Sequence, residues 1–261
     1  MNGGFSRPAY DENGLQTLTE GSGEFADALM HTAVQKMEKG AEYQYCFPKE
    51  EAVFLLIEGK VSFRWPEGSA DAMRNSCFDG GAQSFSLHVC RNTLVTIYAM
   101  EDSEVFIAHT FNNSYFTAML YTPQDIQKSI SCADICDGCC ERIVTTVFDD
   151  VSKPYSNFVL GEIYPKSGRW CGYPPHSHPQ PEVYYYRIDR PEGFGFCCIG
   201  EKAYKIRDRS FTLQAHGAMH PQVVAPGYNM FIIWIIRHLP DNPWHRGENL
   251  PEYQWLEKLK Y

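Results

Sequence analysis

The stretch Tyr173-Pro-Pro-His-Ser-His-Pro-Gln-Pro-Glu-Val-Tyr-Tyr-Tyr-Arg187 sets His176 and His178 two residues apart and Glu182 four residues beyond the second histidine. An aromatic run follows the carboxylate. In an extended chain successive side chains alternate between faces, so His176 and His178 point the same way and can grip one ion side by side. Tyr184 and Tyr186 share the face of Glu182 by the same rule. Pro174 and Pro175 stiffen the approach to the histidines. Further on, Ala215-His-Gly-Ala-Met-His-Pro221 offers two more imidazoles, His216 and His220, around a glycine turn. Three imidazoles and a carboxylate form a donor set for a divalent metal that keeps positions open for substrate. The stretch therefore points to a metal-dependent enzyme whose chemistry sits in the C-terminal half.

Working outward, the pattern is β on both sides. Val183–Ile188, Gly195–Ile199, Ala203–Ile206, Phe211–Gln214, Pro221–Val224 and Met230–Arg237 read as short strands, as do Ile143–Phe148 and Phe158–Ile163 before the histidines. Toward the N-terminus, Ala52–Ile57, the turn Glu58-Gly-Lys60 and Val61–Trp65 read as a hairpin, followed by strands at Gln83–Leu87, Leu94–Ala99 and Glu104–Thr110. Tyr121–Gln127 is the one segment between the halves with helical character, and the tail from Glu252 to Lys260 has helical spacing. Strands at this density suggest barrels or sandwiches rather than α/β units. The expected organisation is an arm or edge segment at 1–24, a β domain at 25–121, a connector at 122–141 and a second β domain at 142–261. In the first domain Tyr43-Gln-Tyr45 precedes Glu50-Glu51, with tyrosines where a metal site would want histidines. That half is expected to bind no ion and to serve packing, oligomerisation or one wall of a pocket.

Composition narrows the function. A net charge of -9 without a Lys/Arg cluster argues against a nucleic-acid partner and leaves room for a small anionic substrate met by local arginines. The most apolar run, Met230–Ile236, is far shorter than the ~20 residues of a membrane span. Met1-Asn-Gly-Gly-Phe-Ser-Arg7 has no apolar signal-peptide core, so a cytoplasmic protein is expected. Ten cysteines then read as reduced thiols. Their one cluster, Cys132, Cys136, Cys139 and Cys140, has a C-x3-C-x2-C-C spacing that matches no zinc or iron–sulfur pattern.

The order H-x-H-x3-E followed by G-x2-H resembles the two signature motifs of the cupin superfamily, and the second spacing selects His220 over His216. Ala215 stands where the second motif usually has proline, and the glycine usual before the first histidine is represented loosely by Gly168 or Gly172. A longer series narrows the resemblance: Gly161–Trp170, Tyr173–His178, Glu182–Arg187, Pro191–Phe196, His220-Pro221 and Ala225–Tyr228. It is similar to the bicupin family of 5-deoxy-glucuronate isomerases of inositol catabolism and the related 5-keto-4-deoxyuronate isomerases, densely over 155–245. The loop Pro179–Pro181 is shorter than in that family, and Arg209-Ser-Phe211 replaces a usual Gly-Asp.

The resemblance implies an all-β chain of two tandem cupin (jelly-roll barrel) domains with a short C-terminal helix, working as a homo-oligomer. It implies one divalent metal ion per chain, zinc or manganese with iron or nickel also suited, held by His176, His178, Glu182 and His220. The reaction it implies is aldose–ketose isomerisation of a small sugar acid, 5-deoxy-glucuronate, to 2-deoxy-5-keto-gluconate. Around the ligands, Tyr184 and Tyr186 are candidate hydrogen-bond donors or proton carriers, or simply core. Arg169 and Lys166 are candidate partners for the substrate carboxylate, and Glu162 is the candidate general base. Arg187, of opposite parity, suits a structural salt bridge. The competing readings are a 5-keto-4-deoxyuronate isomerase, a metal cupin oxygenase, and a non-catalytic sugar-acid-binding cupin. A sensor would need an output module such as a basic helix, and the sequence offers none.

Overall fold

The two apolar runs flanking the histidine motifs become neighbouring antiparallel strands, Glu182–Ile188 and Met230–Arg237, with Tyr184 opposite Trp234. They form the middle of a seven-stranded sheet in the computed structural model, which describes residues 3–245 and 249–259. The sheet order is Gly3–Ser6, Ser210–Gln214, Glu182–Ile188, Met230–Arg237, Phe158–Pro165, Arg142–Phe148 and Gln127–Ser131. A smaller sheet of Trp170–Cys171, Gln222–Val224, Gly195–Ile199 and Lys202–Ile206 faces it across one core. Alternate residues of the central strands (Tyr184, Tyr186, Ile188; Ile232, Trp234, Ile236) enter that core with Cys197, Ile199, Ile206 and Val224 from the smaller sheet. The residues between them, Val183, Tyr185, Ile233 and Ile235, are also buried. Burial on both faces explains why these strands read as continuous apolar runs without alternation. Each such side chain contributes about 1.5–3 kcal/mol.

The other compact unit comprises Pro8–Ile126 and Asp149–Asn157. Its backbone is one long strand, Glu50–Trp65, which pairs through its first half with Ser103–Phe111 and Ser86–Val89, and through its second with Gly68–Arg74 and Val95–Ala99. Ala52, Phe54, Leu56, Val61 and Phe63 carry the core from one half to the other. Asp149–Asn157 is tied in by the buried Glu51 carboxylate, which accepts from Asn157 N at 2.6 Å and from Asn112 Nδ2 and Ser156 Oγ at 2.9 Å.

Two sequence expectations change. Glu58-Gly-Lys60 is not a hairpin turn: Gly59 (φ +102°) follows a register shift between Leu56 and Glu58 inside the long strand, and a Cβ on it would lie 2.3 Å from Ser103 Oγ. Glycine there lets one strand bend and serve two sets of partners; the hairpin closes later, with Trp65 opposite Gly68. Tyr121–Gln127 is not helical but a turn between strands Met119–Tyr121 and Gln127–Ser131, held by Asp125, which accepts from Thr122 N at 2.9 Å. Of the two readings of residues 1–24, the described part takes the edge form: Gly3–Ser6 pairs with Ser210–Gln214, and Leu15–Thr19 pairs with His31–Met37, so unpaired strand edges are satisfied at both places. Met1 and Asn2 lie outside the described residues. The tail is a helix of 3₁₀ type, Pro251–Lys258, with Lys260 outside the described residues. Among the described residues no helix is long and apolar enough to cross a membrane.

Candidate metal centre

Glu182 is the first residue of its strand, so its side chain stands at the end of the core on the face of Tyr184 and Tyr186. The segment before it carries His176 and His178, and it is pinned by Leu250 N donating to Pro175 O at 3.1 Å and by an antiparallel bridge between His176 and Asn249. His220 arrives from the Gly217 turn just ahead of strand Gln222–Val224. His178, Glu182 and His220 thereby bring three ligand atoms within 4.8 Å of one another. His176 stands beside that trio, its ring edge-on to His220 with centroids 4.8 Å apart. His216 is exposed and outside it, as the G-x2-H spacing implies.

The hydrogen bonds assign the imidazoles. His176 Nδ1 lies 3.1 Å from Pro174 O, His178 Nδ1 2.9 Å from Gln180 O, and His220 Nδ1 2.8 Å from Ala218 O. A carbonyl oxygen only accepts, so each Nδ1 carries a proton and each neutral ring presents its Nε2 lone pair. The Nε2 atoms of His178 and His220 lie 3.2 and 3.3 Å from the same atom, Glu182 Oε2. Either a proton or a metal cation has to lie between these nitrogens and the carboxylate oxygen. His220 Nε2 is buried without a hydrogen-bond partner. Donor spacings of 3.2 and 3.3 Å also match the roughly 3.0–3.4 Å edges of a coordination polyhedron with bonds of about 2.1 Å. The group fits a metal ion.

Electrostatics points the same way. Burial would raise the Glu182 carboxyl, but the two imidazoles outweigh it and hold it down at about 2. Burial would likewise lower His220, yet Glu182 leaves it raised, while His176, for which burial dominates, is pushed down to about 4. Glu182 is thus held as the anion that ligates and His176 as a neutral imidazole, while His220 has to give up the proton that Glu182 favours when an ion binds.

Beneath the trio lies an aromatic floor. The Tyr184 and His220 rings are 5.9 Å apart, and burial, reinforced by Glu182, pushes the Tyr184 hydroxyl well above 10, so it stays a proton donor. Tyr186 lies one step deeper, its hydroxyl 2.7 Å from Thr212 Oγ1 and donating to Gln222 Oε1 at 2.6 Å. Sequence reasoning missed Trp234, Trp244 and Gln222. Trp244 lies 6.0 Å from the His178 ring and 5.9 Å from Trp234, and the two indole N–H groups and Gln222 Nε2 are buried without partners. Unmet buried donors are uncommon, and that of Trp244 beside His178, with Trp234 and Gln222 behind it, suits a ligand rich in oxygen. The signal for Trp234 was its parity with the floor, two strand positions from Ile232 and Ile236; Trp244, in a loop, had none.

Other expected site residues are elsewhere. Glu162 is buried but has the opposite parity to Gly161 and Ile163, which face the core. Its carboxylate accepts from Tyr164 Oη at 2.6 Å on the other side of the sheet, so the structure does not bring this candidate base together with the trio. Lys166 is exposed and pairs with Glu141 at 2.6 Å, and the Arg169 guanidinium donates to Cys139 Sγ at 3.3 Å. Both are engaged by the connector rather than by the histidines. Arg187 pairs with Asp208 at 2.9 Å, the structural salt bridge its parity implied. Cys132, Cys136, Cys139 and Cys140 are free thiols and make no metal-ligand group among the described residues; burial pushes Cys140 up to about 12.

A β-barrel core with imidazoles and a carboxylate converging at its end defines a cupin-type protein, and two such β units in tandem make this chain a bicupin. It belongs to the KduI/IolB family, whose model matches residues 5–256. Its relatives include the 5-deoxy-glucuronate isomerase of Geobacillus kaustophilus, 24% identical over 247 residues and covering 87% of this chain and 85% of the relative. That of Bacillus subtilis subsp. natto is 22% identical and covers 94% of each chain. With these relatives the chain is an enzyme of the isomerase class. An IolB-like protein from Salmonella typhimurium shares the fold with a TM-score of 0.81 at 18% identity, over 94% of this chain and 99% of that one. Lactobacillus farciminis oxalate decarboxylase, solved as a formate complex, shares it at 0.67 and 11% identity, over 94% and 85%.

Proposed function

We propose that the chain is a metal-dependent aldose–ketose isomerase that converts 5-deoxy-glucuronate to 2-deoxy-5-keto-gluconate in the cytoplasm. The centre would hold one divalent ion, zinc or manganese, through His178, Glu182 and His220, with His176 as the fourth ligand. The observation that carries this reading is the pair of imidazole lone pairs and the carboxylate oxygen converging within 3.3 Å, in a chain whose relatives bear that isomerase name. When bound there, such an ion supplies Lewis-acid stabilisation of the negative charge that grows on the substrate's carbonyl oxygen.

The chain's own residues do the rest. The Nδ1–H bonds to Pro174, Gln180 and Ala218 fix the three rings before any ligand arrives, so no reorganisation is needed. Tyr184, held neutral, can donate a hydrogen bond from its hydroxyl to a substrate oxygen. The indole N–H groups of Trp234 and Trp244 and the Gln222 amide offer donors to hydroxyl and carboxylate oxygens, a role first expected of Arg169 and Lys166. Tyr186 orients Gln222 through their 2.6 Å bond. Burial of Tyr184, Tyr186, Glu182 and His220 excludes water from the reacting end of the sugar.

The test is the variant His178→Ala. It should lose bound metal and isomerase activity together while keeping the fold. Full activity in a metal-free variant would refute the proposal.

A further inference from the structure

The N-terminal unit has a second imidazole–carboxylate group, built from residues far apart in sequence. His31 opens strand His31–Met37, Glu50 opens strand Glu50–Trp65, and His109 lies in strand Ser103–Phe111 opposite both His31 and Ala52. Parity puts all three on the inner face: His31 with Met37, Glu50 with Ala52 and Phe54, and His109 with Val105 and Ile107, all members of that unit's core. Glu50 Oε2 lies 2.8 Å from His109 Nδ1 and its Oε1 3.9 Å from His31 Nε2, and the three ligand atoms lie within 4.8 Å of one another. In each unit, then, the first residue of a central strand is a glutamate at the end of the core with two imidazoles about it.

We propose that His31, Glu50 and His109 form a second divalent-cation site, in the N-terminal unit, for a borderline transition ion such as zinc, cobalt or manganese. Two imidazole nitrogens and one carboxylate oxygen are the donors such ions take, leaving further positions for water or a ligand. The site is partly open, with side-chain exposures of 38%, 26% and 19%, so an ion can enter. His109 is fixed between Phe47, 3.8 Å away, and His31, 4.5 Å away, in one stack of rings. Parallel rings cannot both aim an in-plane lone pair at a common ion, so binding requires His31, the outer and most exposed member, to turn about its Cβ–Cγ bond. Gly21 is the neighbour of its Nε2, where a Cβ would come to 3.0 Å, and its lack of a side chain leaves that room. The ion takes the place of the proton between His109 Nδ1 and Glu50, and the neutral ring then carries its proton on Nε2. The expectation that tyrosines at Tyr43 and Tyr45 leave this half without an ion considered only the H-x-H position; this site uses neighbouring strands instead.

The experiment is zinc stoichiometry by plasma mass spectrometry on the tag-free full chain, stripped with chelator and dialysed against zinc. Wild type should hold two ions per chain, His109→Ala one, His178→Ala one and the double variant none. Should His109→Ala lose its fold by circular dichroism, Glu50→Gln, which keeps the shape and removes the charge, must lose the same ion. One ion in wild type, lost in His109→Ala and kept in His178→Ala, would uphold this site while refuting the C-terminal one. A stoichiometry that is unchanged in His109→Ala and Glu50→Gln, or no ion at all in wild type, overturns the proposal.

Discussion

Replacing Gly161 with alanine should break the site's floor without touching a metal ligand. Gly161 lies in the sheet between Thr146 and Trp234, and an added Cβ would stand 2.1 Å from Thr145 O and 2.5 Å from Trp234 Nε1. The indole can turn aside, but the carbonyl belongs to a paired strand, which must retreat by roughly 1 Å to reach ordinary contact. Overpacking of this kind costs about 1–3 kcal/mol, and backbone involvement puts it near the upper end. At about 2–4 °C per kcal/mol for a chain of this size, the melting temperature should fall by roughly 5–10 °C. Gly200→Ala is the control: it has positive φ (+57°) but nothing within 4 Å of an added Cβ, so it carries only the backbone penalty of about 1–2 kcal/mol. Thermal melts followed by circular dichroism compare the two, with metal content and kcat/KM measured alongside. Gly161→Ala should keep its metal and lose kcat/KM, because Trp234 is displaced. A melting loss no larger than that of Gly200→Ala would refute the close approach of strand and indole.

Tyr184→Phe should lower kcat by about 10²-fold with metal content unchanged, through loss of a hydrogen-bond donor to the substrate; a parallel loss of metal would assign the hydroxyl to positioning Glu182, its partner in the resting site, instead. Glu162→Gln should leave turnover intact and cost about 1–3 kcal/mol in denaturant titration, because its carboxylate serves Tyr164 on the opposite face of the sheet; a large fall in kcat at unchanged stability would restore it as the base. The double variant Lys166→Ala, Arg169→Ala should stay within about 0.5 kcal/mol of wild type and keep its KM; a tenfold or greater rise in KM would return the substrate carboxylate to these two residues.

Much of the fold was legible because strands here announce themselves as short apolar runs between glycine and proline turns. The candidate donor cluster was legible in part because His176, His178 and Glu182 lie within seven positions of one another. What failed were inferences that needed partners. Glu58-Gly-Lys60 looks like a hairpin turn, but Gly59 passes Ser103, so the same glycine bends one strand instead. Phe158–Pro165 is buried on both faces, so its sequence has no alternation from which to learn that Glu162 turns away from the core. The strands Gly3–Ser6 and Leu15–Thr19 are too polar to be seen without the edges they complete. His31, Glu50 and His109 meet only because two long-range strand pairings bring them together, and no spacing rule contains that.

The account rests on an isomerase whose turnover depends on the ion held by His178, Glu182 and His220. Proton NMR of 5-deoxy-glucuronate incubated with the chelator-stripped chain, before and after zinc or manganese is restored, addresses this most directly. The aldehyde signals should persist with the stripped chain and give way to those of 2-deoxy-5-keto-gluconate once the ion is returned. Equal conversion in both samples, or none in either, would contradict it.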